Sequence, residues 1–416
     1  MRDVRITGII QASNEFPLIL LSIAHALYYH LDDIILLNHN TDDATISGIE
    51  KLKLLFPNRI KVINYSDESF FQEASTNILL EITNDSENHW AWVFDADEFL
   101  ITENMCSLKK YVKKANGFNA IRLPFCNFVS TNQFNEYAME DYLKLIYCSQ
   151  PMIFNPISEK IVSHDIKNGY LNYFDLPFSS KVIFQYNTLN WVSAGSHQLK
   201  YPLMQSIRDF KKNEIYAAHL PLLSYRRLWL KAKQGKKLIE SGLPESHGWQ
   251  SQMLYHIEKE GGMDEFWSAH SIHEGSEANI NYSINYDLAN SLKPICSLLK
   301  EAFGDHFEDE KQTIVAPDDF KFDFRMGTHV MRKFQMIADI LVNHSNNRIS
   351  RFYESEMTEG RSHQDEIERL SRKIEELNHI ITKEREMRYT FLHSRSWLIT
   401  KPLRYIFSKL RRNKTE

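Results

Sequence analysis

At 416 residues, 43% hydrophobic and 25% charged, the chain is long enough to bury a large core and has the composition of a globular protein with roughly two or three structural units. Its formal net charge of -5 supplies no global basic field, which sets nucleic acid aside as the main partner. Cys106, Cys126, Cys148 and Cys296 show no CxxC pairing, which argues against a zinc knuckle and a secreted disulfide framework and fits a reducing cytoplasm.

The N-terminal stretch MRDVRITGIIQASNEF is too short in apolar residues for a signal-peptide core, and Asn14 and Glu15 interrupt it. No segment offers the roughly 18 consecutive apolar residues of a membrane span. From Val4 to about Leu100, apolar runs alternate with helix-like stretches, as expected of a parallel sheet covered by helices. VRITGIIQA, DDIILLNHN, RIKVINY and HWAWVFDAD read as strands. FPLILLSIAHALYYH, ATISGIEKLKLLF and SFFQEASTNILLEITND read as the helices between them. This is a doubly wound nucleotide-binding half, whose ligands gather at the carboxyl ends of the strands.

Residues 101–230 are richer in short β-like pieces, such as NAIRLPFCNFV and SKVIFQYN, and read as the acceptor half of one catalytic domain spanning 1–230, with 1–100 the donor half. Helices predominate from Tyr225, with RRLWLKAKQGKKLIESG the clearest, and the helical region is bounded at 231–350. Over 360–390, Ile367, Leu370, Ile374, Leu377 and Ile381 form a short a/d seam among charges, read either as a coiled coil that could join copies of the chain or as a solvated docked helix. The segment 391–416 combines Arg395, Lys401, Arg404, Lys409, Arg411, Arg412 and Lys414 with an apolar face, an expected contact with the inner surface of the cytoplasmic membrane.

The chemistry concentrates in WVFDADEFL. An apolar strand delivers Asp95, Ala96, Asp97 and Glu98 to its carboxyl end, and strand alternation puts Asp95 and Asp97 on one side and Ala96 on the other, where it leaves room for a ligand. Hard oxygen ligands in that arrangement suit Mn²⁺ or Mg²⁺ bridged to a diphosphate. The competing reading is an acidic strand end facing solvent. A base for the acceptor hydroxyl is sought among Glu98, Glu136, Glu140, Asp141 and Asp165, with Glu98 and Asp141 carried forward and the choice left open. Arg226, Arg227 and Lys231 fall where one helix face could hold phosphate oxygens.

Gly8 to Leu100 resembles glycosyltransferase family 2 and its GT-A-fold relatives, in the branch whose motif reads D-x-D-E-F. The matching residues are Asn14 and Glu15 after the first strand, Asn38, Asn40, Thr41 and Asp42 after the second, Asn77 one helix before the acidic motif, and Asp95 to Phe99. The resemblance covers roughly the first 230 residues. It implies a GT-A fold, a nucleoside diphosphate sugar donor, inversion, and a saccharide or lipid-linked acceptor of bacterial envelope type. It also implies that Ala12, Asn14, Glu15, Asn40, Asp42, Asn77, Asp95 and Arg226 contact the nucleotide sugar, and that His197 and His219 join Asp95 and Asp97 around the metal. His39 departs from the pattern. A haloacid-dehalogenase-like phosphatase, a sugar-phosphate nucleotidyltransferase and a non-enzymatic scaffold are the alternative readings.

Overall fold

The computed structural model describes residues 4–39, 41, 43–65, 72–83, 89–150, 159–176, 180–186, 190–201, 206–240, 248–273 and 280–308. The chain divides into two compact units, Met1–Phe320 and Lys321–Glu416, and every described residue belongs to the first. The expected seam at 360–390 and the basic tail at 391–416 therefore lie outside the described residues.

The donor half alternates as its apolar runs dictate: β1 Arg5–Ala12, α1 Leu18–Tyr29, β2 Asp33–His39, α2 Thr45–Leu55, β3 Ile60–Tyr65, α3 Gln72–Thr83 and β4 His89–Val93. Residues Leu18 to Leu27 of α1 are all buried, the expected fate of a helix that is apolar on every side. Next come β5 Glu98–Thr102, α4 Leu108–Lys114, β6 Ala120–Leu123, β7 Phe125–Val129 and β8 Tyr147–Ser149. The chain continues through α5 Glu159–Lys167, β9 Lys181–Gln185, β10 Trp191–Val192, β11 Leu199–Tyr201, β12 Ile207–Asp209 and β13 Ile215–His219. The last described elements are α6 Tyr225–Glu240, α7 Trp249–Lys259, α8 Met263–Ala269, β14 Tyr282–Ile284 and α9 Asp287–Phe303.

A seven-stranded sheet runs β12-β6-β9-β4-β1-β2-β3, parallel throughout β4-β1-β2-β3 and antiparallel only where β9 meets β4 and β6. A second sheet runs β14-β8-β7-β13-β5 and is mostly antiparallel. The molecule is thus mixed α/β with a parallel-rich main sheet. In that sheet the order reverses at β1, with β2 on one side and β4 on the other, and it is beyond the carboxyl ends of the strands at such a switch point that open α/β sheets bind ligands.

Two expectations change here. NAIRLPFCNFV, read as one strand, is divided at Pro124 into β6 of the first sheet and β7 of the second, since proline offers no N–H to a ladder. HWAWVFDAD stops at Val93. Asp95 to Glu98 form a turn, closed by the Glu98 N–H donating to the Asp95 carbonyl (3.1 Å), and the chain leaves it on β5 in the other sheet. The alternation argument for Asp95 and Asp97 therefore fails, and Ala96 points into the core at 5% exposure instead of leaving room for a ligand.

Helix α6 runs through residue 230, and α9 returns to cover α1, where the Tyr29 hydroxyl donates to the Ser291 carbonyl. Cys126 and Cys148, on the neighbouring strands β7 and β8, are joined in a disulfide, against the expectation of a reducing setting without a disulfide framework. Spacing along the chain carries no information about this pair, which strand pairing brings together. No helix among the described residues is long and apolar enough to cross a membrane.

Candidate active site

The acidic turn sits where the two sheets meet. Its position is fixed from two sides: the Phe94 N–H donates to the Ile9 carbonyl on β1, and the Leu220 N–H, just past β13, donates to the Asp97 carbonyl. Buried Trp92 and Phe94, stacked at 4.3 Å, anchor the strand behind it.

Strand pairing then sets a row of polar side chains across the second sheet. His219 is opposite Glu98 on β5 and opposite Asn127 on β7. Ligand-capable atoms of Asp97, Glu98 and His219 all lie within 4.8 Å of one another. His219 Nε2 is 3.7 Å from Asp97 Oδ2, and its Nδ1 is 2.8 Å from Asn127 Oδ1. Two carboxylates and an imidazole converging in this way fit a divalent cation such as Mn²⁺ or Mg²⁺.

Two lysines balance these acids. Lys181, at the start of β9 and 1% exposed, donates to Asp95 Oδ2 (2.8 Å) and the Gly195 carbonyl (2.6 Å) and pairs with Glu98 Oε1 at 3.1 Å. Lys231 on α6 donates to Asp97 Oδ2 (3.3 Å) and the Pro221 carbonyl (2.7 Å). Burial would raise the Asp97 carboxyl, but Lys231, His219 and Arg227 together hold it below the usual range. Burial, reinforced by Asp95 and Asp97, pushes Glu98 well above that range against the opposing charge of Lys181. Burial lowers His219 to about 4, so its imidazole is neutral at neutral pH.

The β1–α1 loop forms the neighbouring wall. Asn14, in the left-handed conformation that asparagine tolerates (φ 58), accepts from the Asp43 N–H, so the loops after β1 and β2 are knitted together. Glu15 is held by Arg227 of α6, whose guanidinium also donates to Glu136 Oε2 at 2.7 Å and to the Glu15 carbonyl at 2.9 Å. Arg226 donates to Glu136 Oε1 at 3.0 Å and to the Phe16 carbonyl at 3.3 Å, and lies over the Tyr137 ring. Arg227, which the helix-face reading assigned to phosphate oxygens, is occupied here by two carboxylates.

The expected residues are distributed unevenly. Asp97 and His219 meet, together with Glu98, which the sequence offered as a base candidate. Asp95, 45% exposed at its side chain, is turned to Lys181. His197 and His219 both neighbour the Phe125 ring, with centroids 6.4 and 5.1 Å from it, and His197 Nδ1 is 3.3 Å from the Ser180 carbonyl. Asn77 pins α3 to β10, exchanging two hydrogen bonds of 2.9 Å with the Val192 backbone. Asp141 accepts from the Asn135 N–H and from Lys144 within its own loop. Ala12 ends β1 at 5% exposure. Asn40 and Asp42 lie outside the described residues. Sequence reasoning missed Lys181, Phe125 and Asn127. A lysine within an apolar strand, Ser-Lys-Val-Ile-Phe, was the one available signal, since burial of Lys demands a carboxylate partner.

No family model matches the chain, and no curated protein matches it. Among solved structures, it is similar to S. aureus TarS at 13% identity and a TM-score of 0.30, over 60% of this chain and 69% of that one. Mannosyltransferase PcManGT from Pyrobaculum calidifontis, in complex with GDP-Man and Mn²⁺, aligns at 12% identity and a TM-score of 0.31, over 71% and 80% of the two chains. Glucosyl-3-phosphoglycerate synthase from Mycobacterium tuberculosis, in complex with Mn²⁺, UDP and phosphoglyceric acid, aligns at 11% identity and 0.29, over 58% and 80%.

Proposed function

We propose that this chain is a cation-dependent glycosyltransferase that moves a sugar from a nucleoside diphosphate sugar to a hydroxyl of a glycan or lipid-linked saccharide. The observation that supports this reading is the convergence of Asp97, Glu98 and His219 just past the carboxyl end of β4, beside the point where the strand order reverses. In a doubly wound sheet that switch point is where nucleotides bind.

Asp97, Glu98 and His219 would hold the cation, whose chemistry is to neutralise the diphosphate as it leaves. Lys231, which pairs with Asp97 at 3.3 Å, would supply a further cation for a diphosphate oxygen. The loop carrying Asn14 and Glu15 would wall the nucleotide, with Arg227 fixing its distance from α6. Lys181 would keep Asp95 and Glu98 from repelling each other as the site fills. Glu98 stands among the cation-holding groups and Asp141 is tied into its own loop, so neither is proposed as the base. Family 2 membership, the GT-A assignment and inversion rest on the resemblance of Gly8 to Leu100. Attachment at the inner membrane surface, and with it an envelope role, rests on the basic residues and apolar face of the 391–416 tail.

The test is calorimetric titration with a panel of UDP- and GDP-sugars with and without Mn²⁺, paired with a donor-hydrolysis assay. Binding or hydrolysis that requires Mn²⁺ is expected. No response to any nucleotide sugar overturns the proposal. Flotation with anionic vesicles tests the tail: equal flotation of the full chain and a version ending at Tyr389 refutes the membrane contact.

A further inference from the structure

Asn127 lies on β7, one strand removed from the acidic turn, and is 4% exposed. Nothing in its local sequence, Phe-Cys-Asn-Phe-Val, marks it as chemical. The parallel pairing of β7 with β13 puts it opposite His219, and the antiparallel pairing of β5 with β13 puts Glu98 on the other side of the same histidine. The imidazole therefore stands between a carboxamide and the acidic turn, with Asn127 Oδ1 at 2.8 Å from Nδ1 and Asp97 Oδ2 at 3.7 Å from Nε2.

A neutral imidazole carries one N–H, and a carboxamide oxygen only accepts. With Oδ1 facing Nδ1, the proton is held on Nδ1, and the Nε2 lone pair is directed toward Asp97. Metal-ligating histidines are commonly oriented by such an acceptor behind the ring, and losing it typically costs about 10–100-fold in metal affinity. The disulfide at Cys126 ties the strand position beside Asn127 to β8.

We infer that Asn127 is the positioning residue of the cation site: by accepting from Nδ1–H it fixes His219 in the tautomer that offers Nε2 to a divalent cation. The cation half of this statement rests on the reading given under Proposed function. The tautomer half does not.

The experiment uses the full chain with ¹⁵N-labelled histidine, resolving the His219 ring signals by comparison with His219→Gln, and measures Mn²⁺ binding directly by electron paramagnetic resonance. Asn127→Leu and Asn127→Asp are compared with wild type. The wild type is expected to show the Nδ1–H tautomer without metal. Asn127→Leu is expected to bind Mn²⁺ about 10–100-fold more weakly. Asn127→Asp, which keeps an acceptor in place, is expected to restore affinity to within a few-fold. An Nε2–H tautomer in wild type would place the amide nitrogen against the ring and overturn the inference, as would unchanged Mn²⁺ affinity in Asn127→Leu. Equal losses in both variants would reduce Asn127 to a structural role and overturn it too. A wild-type chain with the Nδ1–H tautomer but no Mn²⁺ binding overturns the cation reading while upholding the orientation of the ring.

Discussion

Replacing Arg227 by Met should cost the compact unit much of its stability, because the guanidinium is the main counter-charge of a buried acid. Glu136 is 2% exposed and its two oxygens are taken by Arg227 Nε at 2.7 Å and Arg226 Nη1 at 3.0 Å. Arg227 also holds Glu15 and the Glu15 carbonyl, joining α6 to the loop after β1. Methionine fills most of the volume, so the loss is electrostatic more than one of packing. Breaking a buried pair on one side costs about 3–5 kcal/mol, and because Arg226 remains, the lower end, about 3 kcal/mol, applies. At about 2 °C per kcal/mol for a unit of this size, Tm should fall by about 6 °C. Scanning calorimetry or thermal circular dichroism reads this directly. The diagnostic is the double variant Glu136→Gln with Arg227→Met, in which no uncompensated carboxylate remains at 136 and a substantial part of the loss should be recovered. If Arg227→Met melts within about 1 °C of wild type, or the two substitutions are simply additive, the network does not have the role assigned to it here.

Three further outcomes are expected. Asp97→Asn should remove Mn²⁺ binding and Mn²⁺-dependent donor turnover with Tm little changed, while His219→Ala lowers affinity by a smaller factor; turnover retained in excess EDTA would refute the cation role. Burial lowers His30 and His270 to about 4 in the folded chain, against about 6.5 when exposed. The unfolded state then binds more protons below pH 6.5, so stability is present above that pH and is lost as pH falls toward 4, by about 2 kcal/mol per histidine between pH 7 and 5. Urea midpoints at the two pH values check this, and His30→Gln should flatten its share of the slope. Gly235→Ala should destabilise α6 against α7 by at least about 1–3 kcal/mol, since a Cβ there would lie 1.9 Å from the Ser251 carbonyl oxygen; an unchanged unfolding midpoint would show that the two helices do not cross this closely.

The sequence by itself determined what is local. Apolar periodicity placed β1, α1, β2, α2, β3, α3 and the start of β4, because burial of a strand or helix face is encoded within a dozen neighbouring residues. An acidic cluster after an apolar run likewise located Asp95 to Glu98 as the place to look. The tertiary structure decided which of those acids converge. Asp95 was paired with Asp97 by strand alternation, but the chain turns at Asp95 and changes sheets, so Asp97 and Glu98 face His219 while Asp95 faces Lys181. Asn77 was read as a nucleotide contact and instead holds β10, because a buried carboxamide goes to whichever backbone the fold brings to it. Cys126 with Cys148 and Asn127 with His219 are pairings made between neighbouring strands, and Lys181 with Glu98 is one made between strands of different sheets. Register depends on which strands become neighbours, and that follows from packing the whole chain, not from any stretch of it.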